Sequence, residues 1–106
     1  MPFFHFDQNN SGGGYDSDEN VAQIVVIEAL HADAANIIAQ DIGIYFDGVS
    51  SGADCDCCGD RWRRVYADDA QDSPDEGLIA MHSSWKTQGN PYAFVYFSDG
   101  RKLSYS

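Results

Sequence analysis

The run VAQIVVIEA, residues 21–29, constrains this chain more than any other stretch. It is β-branched and almost continuously apolar, so it reads as a strand that is central in a sheet or covered on both faces. Apolar residues at helical spacing follow at once: Leu30, Ala34, Ile37, Ile38 and Ile42. The spacing predicts a helix over 32–42, with Asp33 capping its first turn and Gly43 as its C-terminal stop. PFFHF reads as a first strand and IYFDG as a short strand closed by an Asp-Gly turn. RWRRVYA, GLIAMHS and YAFVYF read as further strands, and ADDAQDSPDEG as an exposed acidic loop. SDGR turns YAFVYF into KLSYS, so residues 92–105 are expected to form a hairpin. The expected fold is α+β, with one main helix packed on a mostly antiparallel sheet. At 106 residues there is enough chain for one core and not for two, so residues 1–106 are expected to be a single small domain.

Charge narrows the partners. All six Lys and Arg lie after residue 60, and residues 1–60 carry eleven Asp or Glu with no cation, which accounts for the whole net charge of −11. Such a field repels phosphate, so direct nucleic-acid binding and anionic membrane binding are not expected. It can attract a basic protein surface, including one that normally holds DNA. The start, MPFFHFDQNN, lacks the basic region and apolar run of a secretory signal, and no later segment is long and apolar enough to span a bilayer. A reducing compartment is expected, with thiols free or bound to metal.

DCDCCGDRWRR, residues 54–64, holds all three cysteines and three of the six cations. Cys55 and Cys58 stand at C-x-x-C spacing before Gly59, one half of a zinc knuckle. Zinc wants four ligands. His5, His31, His82 or the same knuckle from a second subunit of a homo-oligomer would have to complete the set. Without that, no cofactor is expected and the stretch is a tight turn with free thiols, some buried as small apolar groups. Redox chemistry is disfavoured, because Asp54, Asp56 and Asp60 raise thiol pKa values and no helix opens at the motif.

The arginines suggest an anion site. If residues 61–67 are a strand, Arg61 and Arg63 share one face and can grip a phosphate or carboxylate by paired hydrogen bonds, with Trp62 stacked on a base. The polar stretch after β-like PFFHF offers a matching cover, in which Asn9, Asn10, Gly12 and Gly13 present amides to a small ligand. No Walker lysine and no dinucleotide fingerprint accompanies them. The three histidines stand apart, and no complete nucleophile, acid/base pair or metal set emerges, so an enzyme is not expected.

Three stretches together, NNSGGGYD (9–16), the helix end running into IYFDG (43–48), and DCDCCGDRW (54–62), carry a resemblance. The chain resembles a family of small tailed-phage proteins with NNSGG, YFDG and DCxCCGDRW motifs. The resemblance implies phage origin and expression in the host cytoplasm, and it implies no activity for any residue. The expected function is a non-enzymatic phage accessory protein that counters host defence by sequestering a small anionic, nucleotide-type signal. Two alternatives stand beside it: an acidic module that occupies a basic, nucleic-acid-binding surface of a host protein, and a zinc-stabilised structural or assembly protein.

Overall fold

The computed structural model describes residues 1–9, 17–54, 56–57, 59–85 and 91–106. Four strands form one sheet in the order β1-β2-β3-β4: β1 (Phe3–Asp7), β2 (Ile24–Glu28), β3 (Ala93–Tyr96) and β4 (Lys102–Tyr105). β1 and β4 pair antiparallel with their neighbours, while β2 and β3 run parallel, so the sheet is mostly antiparallel. Three α-helical segments lie between β2 and β3: α1 (Ala32–Asp41), the single turn α2 (Gly48–Ser51) and α3 (Glu76–Met81). The architecture is α+β with α1 as the main helix. No helix among the described residues is long and apolar enough to cross a membrane.

β2 explains the layering. Val25 and Ile27 pack on one side with Phe4 and Phe6 of β1, Ala35 and Ala39 of α1, and Trp62. Ile24 and Val26 pack on the other with Phe3, Ala93, Val95 and Ile79 of α3. Side chains alternate across a strand, so a continuous apolar run demands cover on both faces. The sequence reading of that strand holds, as do the helix and the hairpin. In the hairpin turn, Gly100 takes a left-handed φ of 93° and Phe97 N–H donates to the Arg101 carbonyl.

The expected helical stripe of α1 holds in part, since Ala34, Ile38 and Ile42 pack partly buried against the core. Ala32, Ala35 and Ala39 face inward, and their small side chains let the helix sit close, whereas Leu30 and Ile37 are 66% and 60% exposed. Its cap is also corrected. His31 Nδ1, and not Asp33, accepts from Ala34 N–H at 3.2 Å. Tyr96, on the same face of the sheet, donates its hydroxyl to the Asn20 carbonyl, and burial pushes its pKa up to about 12.

Three expected strands are absent. GLIAMHS forms α3 and the start of a short 3-10 turn, because Asp75 caps a helix there, its carboxylate accepting from Leu78 N–H at 3.0 Å. IYFDG is irregular: Asp47 adopts a left-handed φ of 57° and opens α2 in place of a hairpin. RWRRVYA buries Trp62 and Val65, three residues apart, which is not strand alternation. Asn36 of α1 holds that segment by two side-chain hydrogen bonds of 3.0 Å, to the amide and carbonyl of Val65.

His5 ties the two layers together, its Nε2 accepting from Asp75 N–H at 2.8 Å. Burial lowers the pKa of His5 below the ordinary 6.5, against the opposing pull of Asp75 and Asp7, and burial lowers that of His82 likewise. A lowered imidazole pKa means that the unfolded chain takes the proton first. Stability is therefore full above about pH 6.5 and falls as pH drops from there through the folded values. The melting temperature is expected to decline as pH falls from about 6.5 toward 5, and the profile should flatten in His5→Gln/His82→Gln, where neither side chain titrates. A flat wild-type profile would contradict this.

Candidate functional site

Asn9 and the IYFDG and DCDCCGDRW stretches, as far as they are described, meet at one end of the sheet, where a single carboxylate organises them. Asp54 accepts from the Tyr45 hydroxyl at 2.7 Å through one oxygen and from Arg61 N–H at 2.9 Å through the other. Its own N–H donates to the Gly48 carbonyl at 2.9 Å. A Cβ on Gly48 would lie 1.8 Å from Asp54 Oδ2, so any larger residue at the end of YFDG must displace that carboxylate. Asp60 adds a second tie by accepting from Val49 N–H at 2.9 Å. Burial and then the Asp54 bond raise the Tyr45 pKa, which keeps its hydroxyl a donor.

Asn9 joins this clasp. Its N–H donates to the Arg61 carbonyl at 2.8 Å and its side-chain amide to the Asp60 carbonyl at 3.3 Å. Asn9, the first residue of the Asn/Gly stretch, thus meets the Asp60–Arg61 turn. Asn10, Gly12 and Gly13 lie outside the described residues, as do Cys55 and Cys58. Cys57 is disulfide-bonded. The free-thiol expectation is corrected for that residue, because spacing alone does not choose between thiol and bridge among clustered cysteines. Among the described residues, no group of three or more His, Cys, Asp or Glu converges on a metal position.

The arginines do not act as a pair. Arg61 turns inward, its Nη1 donating to Gln8 Oε1 at 3.1 Å, while Gln8 in turn donates to the Ala22 carbonyl. Arg63 and Arg64 are exposed instead. Arg64 is spent on Asp47, with a 2.8 Å ion pair and its guanidinium 5.0 Å above the Phe46 ring. The Asp47 carboxyl is held below its usual range by that contact. Trp62 is only 1% exposed and belongs to the core beside α1, so the stacking role expected of it is corrected: a ring packed on both faces has none to offer a base.

What the segment does present is an acidic face. A cleft of about 420 Å³ is lined by Asp47, Asp60, Asp68 and Asp69 with Arg63, Arg64 and Tyr66. A second, of about 280 Å³, shares Arg63, Arg64, Asp68 and Asp69 and adds Asp7 along the outer side of β1. A third, beside the start of α1, adds Asp33. Carboxylates outnumber the guanidiniums in the first two clefts, and Tyr66, 65% exposed, lines the first and the third. Sequence reasoning missed Tyr66 and Asp7, although the acidic loop after Tyr66 was a usable signal.

The model of a family described as a domain of unknown function (DUF7296) matches residues 1–106. The chain belongs to the DUF7296 family. No curated protein and no solved structure matches it. In this DUF7296 chain, the clasp gives Gly48, Asp54 and Asn9 a structural reason to be what they are.

Removing the organising carboxylate tests this. Asp54→Ala leaves Arg61 N–H and the Tyr45 hydroxyl without their acceptor, at a cost of about 1–3 kcal/mol. Gly48→Ala drives the same carboxylate aside and is expected to destabilise by a similar, about 1–3 kcal/mol, amount. In urea unfolding the double variant should cost less than the sum of the two, since both break one arrangement.

Proposed function

We propose that this DUF7296 protein is a non-enzymatic phage accessory protein whose acidic face covers a basic surface of a host protein, the kind of surface that otherwise holds nucleic acid. The observation that carries the reading is the setting of the arginines. Asp7, Asp33, Asp47, Asp60, Asp68 and Asp69 surround Arg63 and Arg64, and Arg64 is already neutralised by Asp47. A small anion entering here meets more repulsion than attraction, whereas Lys and Arg side chains find partners. Tyr66 supplies an exposed aromatic of the type that anchors protein interfaces. Two histidines are spent on backbone N–H groups, His5 at Asp75 and His31 at Ala34, which supports a binding role over acid/base work. Action in the host cytoplasm follows from the phage resemblance.

Asp7, Asp33 and Asp68 accept no hydrogen bond from a described residue, so neutralising them tests the charge without removing a hydrogen bond of the fold. Capture of basic proteins from bacterial lysate is expected at low salt and should be lost near 1 M, where the Debye length is about 3 Å. The Asp7→Asn/Asp33→Asn/Asp68→Asn variant should weaken capture by about 0.2–1 kcal/mol per charge, and Tyr66→Ala by about 2 kcal/mol or more. Calorimetric heat with a nucleotide, abolished by Arg63→Lys, would instead favour sequestration of an anionic signal.

A further inference from the structure

We propose that the outer edge of β1 is a strand-docking slot for a short extended segment rich in lysine or arginine. The proposal rests on the reading above that the partner is a basic protein, and it names how that partner is held. In the β1–β2 pair, Gln8 N–H donates to the Gln23 carbonyl and Ala29 N–H to the Pro2 carbonyl, both at 3.1 Å. Even-numbered residues of β1 therefore bond inward, and odd-numbered residues point their backbone groups outward. Phe3 uses its outward groups in two bonds with Gln71, of 2.7 and 3.0 Å, and Asn9 uses its N–H on the Arg61 carbonyl at 2.8 Å. Between these anchors, the outward N–H and C=O of His5 and Asp7 take no partner among the described residues.

Those groups face the 280 Å³ cleft. The chain that could have filled it, residues 62–70, bows away because Asn36 holds Val65 by both its amide and its carbonyl. Unpaired edge groups are a template for an added strand. At about 3.4 Å per residue, three extended residues opposite His5–Asp7 satisfy all four groups. The walls then select for charge. Asp7, Asp68 and Asp69 line the slot, and with Arg64 engaged by Asp47, Arg63 is the guanidinium that opposes them. An added strand that carries cations on alternate residues meets this wall, and an acidic one does not.

The probe is a capped Lys-Val-Lys-Val-Lys peptide, compared with the same peptide N-methylated at the residues that face β1. The unmodified peptide is expected to shift the His5 and Asp7 amide resonances and slow their hydrogen exchange. N-methylation keeps the charge and removes the donors, so affinity should fall about tenfold or more. Equal affinity of the two peptides, or shifts confined to Tyr66 and Asp47, overturns the slot while leaving the acidic-module reading in place. Capture of basic lysate proteins without protection of His5 and Asp7 does the same. If neither peptide nor any basic protein binds at low salt, the functional reading fails and the slot fails with it. Concentration-dependent protection of those amides without peptide makes a second copy of the chain the occupant and overturns the basic-segment proposal.

Discussion

Burial of β2 on both faces is the constraint from which the rest of the molecule follows. Val25 and Ile27 need a layer on one side and Ile24 and Val26 need another, and a chain this short has few elements to supply both. α1 covers one face through its alanines and α3 the other through Ile79. The remaining chain, from Gly43 to Gln71, has no strand to pair with along most of its length. It is held instead by side chains that stand in for backbone partners, and Asn36 against Val65 imitates a ladder pair most closely.

Carboxylates do much of this substitution. Asp18, Glu28, Asp54, Asp60, Asp69, Asp75 and Asp99 each accept a backbone N–H in a turn or at a helix start. An irregular segment leaves many N–H groups without carbonyls, and an ionised Asp answers them more strongly than a neutral acceptor does. Part of the acidity of the chain is thus architectural. Asp7, Asp33 and Asp68 accept no such bond among the described residues, and they lie around the clefts on one face. The distinction matters for function, because a carboxylate that holds a backbone N–H is a poor place to look for a partner and one that holds none is a better place.

The edge of β1 couples these two themes. The fold fixes it at Gln71 and Arg61, and no described residue pairs with the outward backbone groups of His5 and Asp7 between them, since the segment that might have done so is tied to α1. Natural sheets blunt open edges with charge, and Asp7 with Asp68 and Asp69 supplies it here. On the proposed reading, the same carboxylates that discourage indiscriminate pairing would favour a strand of opposite sign.

Periodicity made part of this legible. The alternating cores of β2, the helix at 32–42, the Ser-Asp-Gly turn of the last hairpin and the separation of charge at residue 60 all follow from residues a few positions apart. Asn9 meets the Asp60–Arg61 turn, on the side where a ligand-covering loop is expected from the sequence. Other outcomes needed the folded chain. Arg61 points inward because Gln8 is there to receive it, Trp62 is core because α1 and β1 close over it, and 61–67 is no strand because Asn36 captures Val65. α3 lay within reach of the sequence, through the Ser-Pro-Asp-Glu start that caps it, but short apolar runs read equally well as strand. Local spacing determines which residues want burial or turns; which carboxylate stays idle and which backbone edge stays open are decided only when distant segments compete for the same partners.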